Sequence, residues 1–586
     1  MILQALNDYY ERKRDDLPPD GWISKGADFA VVLDKDGVFV DLHCLQEAVG
    51  KKIFSRKMFL PNIGKQSLKH SNSSKDANLL WDNSAFVFGL GGKADLKIGS
   101  FIETIEEYFP QNLDEGIIAI LKFLKRGKGD RSLFSPILRH TSFGETISTG
   151  NPIILFRLIK DHGFVFERPE VFSVINNLKK EDKESYIGFC PVSGKVEQNI
   201  ELTHTVIKGV RDAQTSGASI VSFNKDAFCS YGKSKAANAP VSKVAAQQYV
   251  KSLNYLLRAG SSQKLQVGDA TTVFWSDKSS NMEDDFAAYF DEPIKDNPNA
   301  LSEKVRQLLI AVDKGVLPLE DDQTRFFILG LSPNSARISV RFWHTGTVAE
   351  FSAKIARHFV DLAIVHAPHQ REHLSIWWLL NSIATQGKSE NIPPNLAGEW
   401  MRSILIGGPY PKTLLHAAIR RIKAEREVSY ERAAIVKACL NRELRFQTQS
   451  GKEITVSLDK QNTNPGYCIG RLFALLEKIQ EEASPSLNTT IRDRYYSAAS
   501  GTPASVLPIL MRMKNHHLGK LEKGRGIYFE KLLQEIFGQL QADGFPSLLS
   551  LDDQGRFAIG YYHQRQAFYV KSDKFDSQPT EQGPQL

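Results

Sequence analysis

The chain of 586 residues is too long for one ordinary hydrophobic core and has room for about three or four domains. Hydrophobic residues supply 42% of it and charged residues 24%, which excludes a disordered or fibrous protein. A formal net charge of +7 permits a polyanionic partner without requiring one.

Five cysteines, Cys44, Cys190, Cys229, Cys439 and Cys468, lie far apart with no C-x-x-C pair. That spacing argues against a disulfide framework or a zinc knuckle and fits a reducing, cytoplasmic setting. The opening MILQALNDYYERKRDD turns charged too soon for a signal peptide. No run of about twenty apolar residues is present, so no membrane partner is expected.

In chain order, an amphipathic helix is predicted to about Lys13, then a hairpin in FAVVLDKDGVFVDL, whose D-K-D-G is a good turn. Between Arg56 and Asn78 the chain is polar and basic, with Lys65, Lys69, His70, Ser71, Asn72, Ser73 and Lys75 close together. Such a stretch cannot bury enough apolar surface to pack alone. Either it orders on a partner or it is a solvated loop. Helical periodicity follows in IIAILKFLKRG, and YIGFCPVSGK reads as a strand running into a turn.

The organising stretch is GVRDAQTSGASIVSFNKDAFCSYGKSKAANAPVS, Gly209 to Ser242. Gln214, Thr215, Ser216, Asn224 and Asn238 supply amides and hydroxyls, and Lys208, Arg211, Lys225, Lys233 and Lys235 supply cations. These groups suit phosphates and base edges. The same composition also describes a loop that only turns the chain. Ile220 to Phe223 and Thr271 to Trp275 are predicted strands at its sides. A helix is predicted over Val244 to Arg258, with Val244, Tyr249, Leu253 and Leu256 buried.

Asn281 to Asn299 reads as a linker, and ALSEKVRQLLIAVDKG as a helix. Near the end of RFFILGLSPNSARISVRFW, Ile338, Val340 and Phe342 alternate with Arg337, Ser339 and Arg341, giving a strand with one basic face. That face fits either a nucleic-acid backbone or an edge whose charges deter aggregation. Past Trp343 the chain reads as helix after helix. Leu415, Ala418, Ile419 and Ile422 share a face, and the next helix, Tyr430 to Arg442, reads as amphipathic and basic. Leu472, Leu475, Leu476, Ile479 and Ala483 form one apolar stripe, and Phe529, Leu532, Leu533, Ile536, Phe537 and Leu540 another; the two are expected to pack in a bundle. Lys514, Lys520, Lys523 and Arg525 cluster between them. The fold class expected is α+β: a mixed helix and sheet N-terminal lobe followed by an all-α C-terminal bundle. Its regions are 1–180, 181–345, 346–450 and 451–586.

The run GVRDAQTSGASIVSFNKDAFCSYG, then NAPVS, Tyr249, LNYLL and VGDATTVFW, resembles the Csd family (Cas-eight-c), as do LGLSPNSARISVRFW, PYPKTLLHAAIRRI, GRLFALLEKIQ and DDQGRFAIGYYHQRQ. That family is the large subunit of the type I-C CRISPR Cascade surveillance complex. The resemblance implies a non-catalytic protein whose partners are crRNA, target double-stranded DNA, the backbone and 5′-handle-binding subunits, the small subunit and a recruited helicase-nuclease. It implies that the loop before the L-x-D-N and F-V-x-G pattern, Leu80 to Gly89, meets the duplex at its PAM, and that the C-terminal helices are similar to Cascade small subunits. Candidate DNA and PAM contacts are Lys69, Ser71, Asn72, Ser73, Gln214, Ser216, Asn224, Lys233 and Asn238, with Gln214 as the first choice for a wedge. Lys208, Arg211, Arg337, Arg341, Lys514, Lys520, Lys523 and Arg525 are candidates for backbone contact.

Chemistry motifs are weak by comparison. GLGGKAD lacks the G-x-x-x-x-G-K-[ST] spacing, no His is followed by Asp, and Pro368 interrupts the run of His366, His369 and His373. No cofactor or metal is expected. A serine-hydrolase alternative sets Ser216 or Ser219 as nucleophile, His204 as base and Asp212 or Asp226 as orienter, without a G-x-S-x-G elbow. A third reading is a scaffold that touches nucleic acid only non-specifically.

Overall fold

The structure is a computed structural model that describes residues 1–19, 21–49, 52–62, 75–110, 114–177, 186–291, 300–313, 323–447, 451–540 and 544–569. The described backbone falls into two compact units: Met1–Lys208 with Gln214–Tyr255, and Gly209–Ala213 with Leu256–Leu586. The α+β class holds, with sheets up to Thr347 and, among the described residues, helices as the only regular elements after it.

The first unit opens with helix α1 (Ile2–Arg12), as its sequence suggests. Strands β1 (Trp22–Ala27), β2 (Phe29–Leu33) and β3 (Phe39–Cys44) follow. FAVVL is buried from end to end and forms β2. The D-K-D-G turn joins it to β3: Asp34 Oδ1 accepts from the amides of Asp36 and Val38 at 2.9 and 2.8 Å, and Gly37 supplies a φ of +71°. Any Cβ on Gly37 would stand 2.5 Å from the Ala119 carbonyl oxygen, so glycine is required for approach as well as for the turn. Strand β4 (Arg56–Pro61) pairs antiparallel with β1. Beyond it come β5 (Asp82–Asn83), the short helix α2 (Ser84–Val87), and helices α3 (Ala94–Tyr108) and α4 (Glu115–Gly129). Strand β6 (Ile153–Leu158) runs parallel to β2, giving the sheet order β3-β2-β6-β5. Phe156 of β6 meets Phe101 of α3 and Phe123 of α4, with ring centroids 6.2 and 6.4 Å apart, so one sheet face is sealed by those helices.

A hairpin of β7 (Ile187–Cys190) and β8 (Lys195–Asn199) leads into the organising stretch. Helix α5 (Lys243–Leu256) closes the unit; it buries Tyr249, Leu253 and Leu256 as expected, whereas Val244 is exposed. Residues 220–223 are not the predicted strand. Among the described residues the stretch forms isolated bridges, such as Ile207 with Ala218 and Ile200 with Ser242, because small residues and turns interrupt any longer ladder.

The second unit begins with a four-stranded antiparallel meander: β9 (Lys264–Val267), β10 (Ala270–Ser276), β11 (Arg325–Asn334) and β12 (Arg337–Thr347), with helices α6 (Met282–Phe290) and α7 (Ala300–Asp313) between β10 and β11. Thr271 to Trp275 lies in β10, buried throughout. The alternation predicted near the end of β12 is broken by a bulge: Gly330 faces Phe342 and Leu331 faces Val340, so Arg341 is the extra residue. Ile338 stays buried and Val340 turns outward.

Ten helices complete the unit among the described residues: α8 (Val348–Leu362), α9 (Ile376–Ile383), α10 (Pro394–Ile406), α11 (Lys412–Glu425), α12 (Tyr430–Phe446), α13 (Pro465–Ala483), α14 (Ile491–Gly501), α15 (Pro503–Leu518), α16 (Lys523–Phe537) and α17 (Leu551–Ala567). One hydrophobic core runs from Leu265 of the sheet to Tyr562 of α17, so residues 346–450 and 451–569 share an interior. Helix α12 is not the amphipathic helix expected: it is buried continuously from Arg432 to Arg442, with Arg432, Lys437 and Arg442 inside. The stripe on α13 packs chiefly along α17 rather than α16. Cβ atoms on Gly470 and Gly560 would sit 2.0 and 2.1 Å from the carbonyl oxygens of Phe557 and Tyr467, so these two helices touch backbone to backbone.

Candidate nucleic-acid interface

Lys69, Ser71, Asn72 and Ser73 fall outside the described residues, but the frame at either end of their segment is defined. The carbonyl of Pro61, at the end of β4, accepts a hydrogen bond from the Trp81 indole N–H at 2.7 Å. Asp82 then accepts from the amide N–H and side-chain Nδ2 of Asn78 at 2.8 and 3.2 Å, and from the Asn83 amide at 2.7 Å. Burial pushes the Asp82 carboxyl up to about 6 despite these donors. Asn83 caps α2 by accepting from the Phe86 amide, and the Ser100 hydroxyl donates to the Lys75 carbonyl at 2.7 Å. The L-x-D-N residues are therefore the masonry of a loop exit, a role the sequence did not disclose.

The second segment is closed at its base by two backbone hydrogen bonds between Ile207 and Ala218, at 2.8 and 2.9 Å. Its turn is held by the Gly217 amide donating to the Gln214 carbonyl at 2.9 Å, with Gly217 at a φ of +104°. Gln214, Thr215 and Ser216 stand exposed at this turn, and the side chains of Gln214 and Ser216 make no hydrogen bond among the described residues. Asn224 and Lys233 are exposed as well. Asn238 differs: its Oδ1 accepts from the Ser230 amide at 2.8 Å and its Nδ2 donates to the carbonyls of Lys233 and Lys235 at 3.0 and 2.9 Å. That amide is saturated by the loop it stitches and has no donor left for a base edge.

The cations divide in the same way. Lys208 is exposed, and Arg211 lies in solvent 3.7 Å from Asp212. Arg337 is half-buried, and Arg341 pairs with Asp269 at 2.7 Å. Lys514 pairs with Glu530 at 3.1 Å, and Arg525 grips Glu482 through two 2.7 Å hydrogen bonds. Lys520 and Lys523 are exposed with no acidic partner among the described residues. Of the four candidates Lys514, Lys520, Lys523 and Arg525, Lys520 and Lys523 are thus the two left free to face a phosphate.

One family model, described as CRISPR-associated protein (Cas_Csd1), matches residues 6–569. The chain belongs to the CRISPR-associated Csd1 family. It is accordingly a large subunit of type I-C Cascade, the family its sequence blocks resemble. No curated protein matches the sequence.

Csd1 proteins are in general non-catalytic Cascade subunits. Of the groups of the hydrolase alternative, the base candidate faces a tyrosine. His204 is buried, its Nδ1 2.6 Å from the Tyr249 hydroxyl rather than bonded to a serine, and burial pulls its pKa down to about 4. A base so hard to protonate, facing a tyrosine, is a packing histidine. His366 rests against the Tyr430 ring and His373 against Phe359, and among the described residues no three His, Cys, Asp or Glu side chains are grouped to hold a metal. Among those residues, too, no helix is long and apolar enough to cross a membrane.

Proposed function

We propose that this Csd1 chain inspects the PAM of target double-stranded DNA, helps hold the crRNA 5′ end and starts R-loop formation, with no covalent step of its own. Base pairing with the guide reads the protospacer, so the protein needs only the short flank and the backbone. The observation that carries this reading is the Gln214–Gly217 turn, which offers unsaturated amide and hydroxyl groups from a backbone already satisfied at its base. A side chain presented in that way can enter beside the first base pair with little further loss of chain entropy, and unstacking a step costs about a few kcal/mol. Gln214 is the wedge, Ser216 and Asn224 flank it, and Lys208, Lys225 and Lys233 neutralise phosphates. Lys69 and Asn72 contact the duplex from the 63–74 segment, Lys to phosphate and Asn to a base edge. Other Cascade subunits and the helicase-nuclease are its protein partners.

Gel shifts of the reconstituted complex on flank-randomised duplexes test the reading. Gln214→Ala and Asn72→Ala weaken binding to the correct flank more than to a scrambled one. Lys69→Ala weakens both alike and shallows the salt dependence by about one ion. Equal affinities for wild type and all three variants overturn these assignments. The ion pairing of Arg341, Lys514 and Arg525 favours the scaffold reading for the second unit; it predicts no flank preference in the same assay.

A further inference from the structure

The sheet of the first unit has a second face. Arg157 follows Phe156 in β6 and so points away from α3 and α4, and the register puts His43 on that same side. There a cavity of about 570 Å³ opens, with Arg56 and Met58 of β4 and His162 and Phe164 of the segment after β6 on its walls. Its size falls within the range of about 300–1,000 Å³ usual for small-molecule sites and is far below what a duplex needs.

The walls are lopsided in charge. Arg157 Nε is buried and makes no hydrogen bond, and neither Arg157 nor Arg56 has an acidic partner among the described residues. A buried guanidinium N–H without an acceptor is costly, and an anion beside these two unpaired arginines would supply one. The cavity's carboxylate among the described residues is that of Glu167, and it is engaged in accepting the Phe164 amide at 2.8 Å. Phe164 in turn stacks on Phe166, centroids 5.6 Å apart and planes 8° from parallel, which stiffens an aromatic wall against which a planar base can lie.

We propose that this cavity binds one nucleoside-phosphate unit, the phosphate between Arg56 and Arg157 and the base against Phe164 and Met58. If the unit belongs to a single strand, the site rests on the nucleic-acid reading above; a free mononucleotide would occupy it without that reading.

Cys44 lies on the cavity wall and is exposed, so its alkylation reports occupancy locally. The full chain is treated with iodoacetamide alone or with adenosine, AMP or a 5′-phosphorylated pentanucleotide, and Cys44 modification is followed by mass spectrometry. We expect AMP or the pentanucleotide to slow alkylation at least fivefold and adenosine to leave it unchanged. Arg157→Gln and Arg56→Gln should each abolish the protection. Protection by AMP alone identifies a free nucleotide, and stronger protection by the pentanucleotide identifies a strand. No protection by either phosphorylated ligand, equal protection by adenosine, or full protection in the Arg56→Gln variant overturns the proposal. Arg56 is exposed, so that variant decides the matter even if Arg157→Gln fails to fold. Cavity variants that behave as wild type while Gln214→Ala still loses flank discrimination overturn the cavity alone and leave the PAM reading intact.

Discussion

The stretch from Ile207 to Asn238 and the helices from α11 to α17 are both rich in cations, and they use them in opposite ways. In the loop stretch Lys208, Lys225 and Lys233 stand in solvent. In the helices Arg442 is buried against Asp361 at 2.6 Å, its guanidinium 4.3 Å over the Tyr410 ring, and Arg471 is fully buried against Glu535 at 2.6 Å. Arg445 and Arg357 converge on Asp361 as well, and the Lys437 ammonium, pulled down to about 8 by burial, donates to the Asp361 backbone carbonyl at 3.1 Å. Basic residues on a helix are therefore no guide to a basic surface. What matters is whether a carboxylate arrives from elsewhere in the chain to meet them.

The contrast is broken most severely by Asp361→Ala, which strands Arg442 in the core. Removing one partner of such a buried pair costs about 3–5 kcal/mol, read by urea unfolding, whereas Lys233→Ala should stay within about 0.5 kcal/mol of wild type. Equal effects of the two would erase the distinction.

Acid should separate the two units next. His204 in the first unit, and His358 and His563 in the second, are buried against tyrosine hydroxyls and held below the ordinary imidazole value of 6.5, His204 at about 4 and His563 at about 3. Each stays neutral when folded and binds a proton when unfolded. Stability is full above about pH 6.5 and declines as pH falls toward the folded values. Asp82 opposes this in the first unit: its folded value, raised to about 6 from 3.8, makes its contribution grow as pH drops through that window. Between pH 6.5 and 4 the second unit should lose hydrogen-exchange protection first, in α12 and α17. Earlier loss in β2 and β6 would contradict this.

A smaller effect comes from Gly470→Ala, whose new methyl meets the Phe557 carbonyl. Overpacking of this kind costs about 1–3 kcal/mol, visible as a lowered Tm, with Gly524→Ala as the control: nothing lies near its Cβ, so the alanine leaves Tm unchanged or raises it. Smallest are the surface charges: Lys520→Gln and Lys523→Gln should each reduce the salt slope of nucleic-acid binding by about one, and Lys514→Gln, whose ammonium already faces Glu530, by less.

Local signals in the sequence were enough for the D-K-D-G hairpin, the helix α1 and the apolar face of α11, because each depends on neighbours a few residues away. The features it concealed depend on distant partners. Arg442 meets a carboxylate 81 residues back, the stripe on α13 chooses α17 across a long separation, and the Arg341 bulge follows from Phe342 lying over Gly330. Periodicity reads which side of a helix is greasy, and not which cation will be neutralised. Asn238 shows the converse in the candidate interface. Its residue type suits a base edge, yet its own loop consumes it.

The hydrogen bond from Trp81 to Pro61 acts as a clasp. With Pro61 and Trp81 fastened to each other, the sheet's hold on the two ends does not depend on what stands between them, and the register of β1 with β4 is set on the near side of that clasp.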